Sequence, residues 1–520
     1  MKRFSTMKHP RRALPLILVL ALVVAGDLAE GRTSKARMKI TREKRTVLDW
    51  LSRPETVEKF GRISDAIWEY AELGHQEFKS SKLLADTLED AGFTLDRGLA
   101  GMPTCFVASY GSGKPVIGLL GEFDALPGLS QKGRVPKKEP VVEGAPGHGC
   151  GHNTMGTAAA AAAIAVKRAM DTHGIRGTIK VFGSPAEENN GSRPFMVRAG
   201  LFEGVDAVID NHSGIDFFSL YGVDYAAIFS TVFTFKGQAA HAGSEPWAGR
   251  SALDAVEIMN VATNYLREHL PRFHRIHYVI LDGGGAPNVV PDKASVWYFV
   301  RGTDEQIEDI YRRVVDCAKA AALATGVELA SMRVLEAYHQ VHANKAAAEL
   351  FQKNIELVGI PAWSEEENAF FKDLQKEMKS DDSKVIQPSV WKQESLIPEC
   401  NIMGGSSDVG EVSLIAPTAG IYFPGLAPAA INHNWSAVSS NYGSTAWKGL
   451  NAGAKAIAAS AIDLLTQPKE LAKLKKEFAE HSKTHPYKSF LPADATPSVD
   501  FYKELMDKYR PLLEKAFSEK

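Results

Sequence analysis

Six residues in four short segments have the types and placement to hold divalent metal ions and to move a proton. In GHGCGHN at 147–153, Cys150 and His152 stand two apart on one loop. A thiolate and an imidazole at that spacing can turn toward a common ion. A helix pattern starts directly afterwards, and the positive end of its dipole favours a thiolate. Taken alone, the segment equally describes a buried structural cysteine beside ordinary histidines. SPAEENNG sets Glu187 next to Glu188, and adjacent carboxylates repel unless a positive group lies beside them. A metal ion supplies that charge and lets one carboxylate ligate while the other works as a general base. A solvated acidic loop is the alternative for any such pair. His212 in DNHSG and His433 in NHNW add two imidazoles, which makes enough donors for two ions.

The elements that must position these residues follow from periodicity. A helical pattern runs over 62–92 and ends at Gly92. Strand-like runs follow in TCFVASYG and VIGLLGEFDALPG, then an Ala-rich helix around 157–170, then strands in GTIKVFGS and VDAVIDNHSG. Strands alternating with helices predict an α/β fold with a largely parallel central sheet. Asp124, Glu187, Glu188 and His212 all fall where such strands end, the edge at which α/β sheets gather functional groups. From about residue 226 the order becomes β-α-β-β-α-β, a split βαβ, ferredoxin-like unit. Strand-loop texture then resumes. The division expected is 1–26 leader, 27–44 polar segment, 45–225 and 343–467 catalytic α/β domain, 226–342 inserted unit, and 468–520 charged helical extension.

Composition narrows the partners. Net charge is −2, with 60 basic against 62 acidic residues and no basic stripe, so no nucleic-acid partner is expected and a small molecule fits better. Residues 1–12 hold five Lys or Arg and no acid, and an apolar run of 14 residues, Ala13–Gly26, follows. That pattern predicts an export signal and a periplasmic or secreted protein. The run is short of the roughly 20 residues a membrane span needs, so no stable anchor is expected. Four cysteines in 520 residues make no disulfide framework.

In order, GEFDALPG, GAPGHGCGHN, PAEEN, AAHAG, GAPNVVPDKA and SSDVG resemble segments of the metal-dependent aminoacylase, carboxypeptidase and amidohydrolase family. Within it the chain resembles the branch of indole-acetyl-amino-acid and aminobenzoyl-glutamate hydrolases, over about residues 45–465. The resemblance implies two divalent ions, zinc or manganese, with Cys150, His152, Glu188, His212 and His433 as ligands. Glu187 matches the general base and Asp124 a residue orienting a ligand imidazole. His241, on the inserted unit, matches a histidine that reaches the substrate carbonyl, often in the partner subunit's site. Asn288 and Arg301 match positions that help hold substrate. The inserted unit would act as lid and dimerisation domain of a homodimer. Asn153 stands where many relatives carry an acid, Asn189 and Asn190 where glycines are usual, and NHNW is a less familiar setting for a ligand.

The activity implied is metal-assisted hydrolysis of an amide in a small N-acyl amino acid or dipeptide-like molecule with a free carboxylate, of aminobenzoyl-glutamate type. Two other readings stay open on the residues alone. One is a hydrolase using Cys150 as nucleophile; the other is a metal- or solute-binding protein without turnover.

Overall fold

The computed structural model describes residues 40–222, 224–380, 386–391, 402–403 and 405–518. The segment read as an export signal, and the polar stretch up to residue 39, lie outside them. No helix among the described residues is long and apolar enough to cross a membrane.

Twelve strands are described: β1 Thr94–Arg97, β2 Phe106–Ser112, β3 Val116–Glu122, β4 Gly177–Ser184, β5 Ala207–Gly214, β6 Asp224–Tyr225, β7 Ala227–Lys236, β8 Arg275–Asp282, β9 Lys293–Gly302, β10 Glu328–Tyr338, β11 Ile402–Met403 and β12 Thr418–Pro424. Six form the main sheet in the order β1-β2-β4-β3-β5-β12. β4, β3, β5 and β12 are mutually parallel, as the alternation of strands and helices predicts. β2 runs antiparallel to β4, and β1 antiparallel to β2. A parallel neighbour requires a long crossover, and only three residues join β2 to β3.

Alternation along the strands feeds two cores. Ile117, Leu119, Ile179 and Ile209 point to one face, Leu120, Phe182 and Val208 to the other. The first face carries the helices His152–His173 and Ser444–Thr466. The run Ala158–Ala163 is buried throughout, and small side chains let that helix lie close to the sheet. Gly156 marks the nearest approach: a Cβ there would come 2.5 Å from the carbonyl oxygen of Glu122. The start of the helix is therefore pressed onto the carboxyl end of β3. The short helices Arg193–Arg198 and Val409–Ser413 contribute to the second core.

β7, the helix Ala252–Leu266, β8, β9, the helix Ile307–Thr325 and β10 make a separate antiparallel sheet in the order β10-β7-β9-β8. This is the split βαβ order. Val256, Met259 and Val314 of its helices pack with Val296, Tyr298 and Val300 of β9.

The single helix expected over 62–92 is two helices, Pro54–Tyr70 and Phe78–Asp90. The break begins at Ala71, whose φ of 41° is left-handed, and Leu73 pairs with Ala125. Glu72 explains why the chain stops and restarts. Its buried carboxylate accepts hydrogen bonds from the backbone N–H groups of Lys79 and Ser80, capping the second helix. Apolar spacing continued across the break and hid it. The charged C-terminal extension forms two helices, Pro468–Thr484 and Lys503–Ser518, and Tyr509 and Leu513 of the second pack on Ala71, Ala125 and Ala145.

Candidate active site

The six residues singled out above gather at the edge where the parallel strands end, some from strand ends and some from helix starts. β3 leads into Asp124, β4 into Glu187 and Glu188, and β5 carries His212. Gly151, at φ 90°, turns the chain into the Ala-rich helix and places His152 in its first turn. His433 enters from the turn before the helix Trp435–Ser440, with its backbone N–H bonded to Gly149 O at 2.9 Å. Ala186 and His433 both hold left-handed backbone, φ 57° and 58°. Each such non-glycine position costs about 1–3 kcal/mol and persists where the surroundings over-determine it.

The imidazoles are oriented by their outer nitrogens. His152 Nδ1 donates to Asp124 Oδ1 at 2.8 Å, leaving Nε2 aimed into the site. Asp124 Oδ2 also accepts from the backbone N–H of Glu188, 3.0 Å away. His212 Nδ1 donates to Ser213 O at 2.6 Å, and its Nε2 lies 3.3 Å from Cys150 Sγ. His433 Nε2 sits 3.2 Å from Glu188 Oε2. The donor atoms of Cys150, His152 and His212 lie within 4.8 Å of one another, as do those of Cys150, Glu188 and His433. Cys150 belongs to both groups. A third group joins Glu122, His152 and Glu187. His148 and Asn153 turn away: His148 bonds to Ile67 O, and Asn153 to Ser64 and Asn441.

These donors fit divalent ions. Thiolate, imidazole and carboxylate are the ligand types that zinc and manganese accept. His152 Nε2, Glu188 Oε1 and Glu122 Oε2 are buried without a hydrogen-bond partner among the described residues. Protein alone leaves the charges unbalanced. Burial, then the nearby carboxylates of Glu122 and Asp408, push Glu187 well above the usual carboxylate range. Burial, only partly offset by His152, lifts Glu188 to about 8. Burial opposes the charged form of His152, but Asp124 and Glu122 outweigh it and hold its pKa well above the ordinary value. A cation in their midst relieves all of these costs.

Stability without metal should therefore depend on pH in a definite sense. Folded Glu188 titrates at about 8 and Glu187 also above its ordinary value, whereas unfolded glutamate titrates near 4.3. The folded chain binds more protons between those limits, so Tm of chelator-treated protein should fall as pH rises from about 5 to about 8. Calorimetry across that interval, with and without added zinc, checks this. A flat or rising Tm in the metal-free protein contradicts it.

The edge opens into a cleft of about 340 Å³ lined by Cys150, Glu187, Glu188, His212 and His433. Arg301 lines it too, its guanidinium set 5.4 Å over the Phe299 ring. Tyr225, Tyr338 and Tyr422 supply aromatic wall, and the hydroxyls of Tyr225 and Tyr422 meet at 2.7 Å. His152 and Asp124 lie buried behind this cleft, and two expected residues lie away from the site altogether. His241 and Asn288 are exposed and held together on a tip of the inserted unit, where the backbone N–H of Ala242 bonds to Asn288 O at 3.0 Å. No role was read from the sequence for Arg193, for Glu122 in GEFDALPG, or for Ser406, Ser407 and Asp408 in SSDVG. For Glu122 a signal existed: it precedes Asp124 by two in EFD, a spacing that puts both on one side of an extended chain. Arg193 carries no local signal.

A largely parallel α/β sheet whose carboxyl edge gathers Cys, His and Glu around one cleft, with a split βαβ unit inserted, is the framework of a hydrolase of amide bonds. The chain belongs to the peptidase family M20/M25/M40, whose family model matches residues 118–438. It is 37% identical over 464 residues to one of the subunits of p-aminobenzoyl-glutamate hydrolase of Escherichia coli (strain K12), covering 85% of this chain and 96% of that one. It is 28% identical to the Xaa-Arg dipeptidase of Mus musculus, over 88% of this chain and 96% of that one. Among solved structures, a putative aminohydrolase from methicillin resistant Staphylococcus aureus shares the fold, with a TM-score of 0.55 at 19% identity, over 81% of this chain and all of that one.

Proposed function

We propose that this chain hydrolyses an amide bond adjacent to a free carboxylate in a small molecule of aminobenzoyl-glutamate type, using two divalent ions, zinc or manganese. The observation that carries the proposal is the pair of donor clusters sharing Cys150, with Glu187 beside them and Arg301 in the same cleft. The 37% identity to a hydrolase of aminobenzoyl-glutamate, across nearly its whole length, supports the substrate class. Cys150, His152 and His212 would hold one ion, and Cys150, Glu188 and His433 the other. Ions bound there acidify water and polarise a carbonyl. Glu187 takes the proton from the attacking water and returns it to the leaving amine. Arg301 offers a planar fork to the substrate carboxylate, and the tyrosine wall suits a flat acyl group. The test is turnover of aminobenzoyl-glutamate, N-acyl amino acids and dipeptides by zinc- or manganese-loaded protein. Activity should disappear when the substrate carboxylate is replaced by a carboxamide. No turnover of any carboxylate-bearing amide overturns the proposal.

His241 is proposed to serve the cleft of a second copy. Its Nδ1 accepts from the N–H groups of Gly243 and Ser244, both at 3.1 Å, so Nε2 faces outward from an ordered tip. Val261 and Tyr265 on the helix Ala252–Leu266, and Val279, Ile280 and Leu281 on the edge strand β8, are exposed apolar groups that pairing would cover. Light scattering should find a homodimer at micromolar concentration, and a stable monomer contradicts it. The E. coli relative is one of two differently named subunits of a hydrolase, and the other is also similar to this chain, 27% identical over 307 residues. That pairing favours a second arrangement, with a different but related chain. Native mass spectrometry separates the two.

A further inference from the structure

Arg193 is fully buried, the largest side chain to be so among the described residues. Its Nη2 lies 2.7 Å from Glu122 Oε1, and its Nη1 contacts Asp408 Oδ1. Asp408 Oδ2 also accepts from the backbone N–H of Arg193 at 3.0 Å, so this carboxylate grips both the side chain and the main chain. Neither acid is solvated: their side chains are 3% and 0% exposed.

Each acid leads to a different part of the site. Glu122 sets one oxygen, Oε1, at ion-pair distance from Arg193 Nη2. The other, Oε2, has no hydrogen-bond partner among the described residues and lies 3.3 Å from His152 Nε2. Two donors on one tetrahedral ion, at bond lengths near 2.0–2.2 Å, stand roughly 3.3–3.5 Å apart. Asp408 directly follows Ser406 and Ser407, which line the cleft. The acids come from separate parts of the chain and meet only at the guanidinium, whose planar fork can hold two carboxylates at once.

We propose that Arg193 is a positioning residue tying the metal-binding edge to the cleft wall: through Glu122 it holds a further carboxylate against the ion on His152, and through Asp408 it fixes the segment carrying Ser406 and Ser407. The inference rests on the two-ion reading of the site. It makes Glu122 a ligand additional to the five named above and gives Arg193 a role that requires both of its arms.

Three variants of the full-length protein separate the arms. Glu122→Gln keeps an amide oxygen for Arg193, so the fold is retained while the anionic donor is lost. Competition titration with zinc against a chromogenic chelator should show one of two ions bound about 10–100-fold more weakly and the other unchanged. Arg193→Met should weaken the same ion by a similar factor. Asp408→Asn leaves Glu122 in place, so it should bind both ions normally and instead raise KM for aminobenzoyl-glutamate. A merely structural bridge would lower Tm in all three without this split between ion affinity and KM. Native affinity for both ions in Glu122→Gln, or a native KM in Asp408→Asn, overturns the proposal. Wild-type protein that takes up no zinc would instead overturn the two-ion reading itself.

Discussion

Glu187→Gln should lose about 10²–10⁴ in kcat while keeping its metal ions, and Glu188→Gln should lose the ions along with activity. The two side chains are neighbours with near-identical burial, so the difference must come from what each oxygen faces. Glu188 Oε2 meets His433 Nε2 at 3.2 Å, and its carboxylate joins the cluster with Cys150. Its charge is part of a donor set, and an amide there is a much poorer ligand. Glu187 Oε2, 3.9 Å from His152 Nε2, belongs to neither cluster that shares Cys150, and it lines the cleft. Gln there preserves size and hydrogen bonding but cannot accept a proton from water. Metal analysis and turnover on both variants side by side decide the matter. Loss of ions in Glu187→Gln, with retention in Glu188→Gln, would reverse the assignment. If both variants stayed active, the chemistry would lie elsewhere.

Stripping the protein with a chelator should abolish turnover, and zinc or manganese should restore it. Ions at a hydrolytic centre contribute several kcal/mol to the transition state, which at about 1.36 kcal/mol per tenfold means roughly 10³-fold or more. The same experiment judges Cys150 as a nucleophile. Its sulfur does lie 3.3 Å from His212 Nε2, the contact a thiol–imidazole pair needs. Burial and the neighbouring Glu188 carboxylate, however, push the thiol pKa up, whereas a nucleophilic cysteine needs it lowered. Full activity after complete metal removal would revive the thiol mechanism.

The ligand candidates were legible because each sits in a short loop or strand-end segment, where type and spacing speak locally. Cys150 with His152, and Glu187 with Glu188, are within three residues of each other, and the structure brings them onto one edge with His212 and His433. Arg193 and Asp408 are 215 residues apart. Nothing in either neighbourhood announces a pair formed only when two loops meet. Glu122 was hidden differently, as the polar end of an apolar strand. The break at 71–77 escaped because periodicity reports which side is apolar and not where the backbone turns. His241 and Asn288 show the converse: the resemblance attaches roles to them, yet one chain leaves both outside its own cleft.

The helix Lys503–Ser518 rests on the helix Pro54–Tyr70 and on Ala125, and Tyr502 just before it donates to Asn189 Oδ1 at 2.7 Å, next to Glu188. Elements from near both ends of the described chain thus close over the edge that holds the ligands. A ribosome adding about 5–20 residues per second makes Glu188 long before Tyr502, so the pocket waits roughly 15–60 seconds for its last neighbour. During synthesis the nascent chain carries Cys150 and the paired glutamates in an unfinished setting.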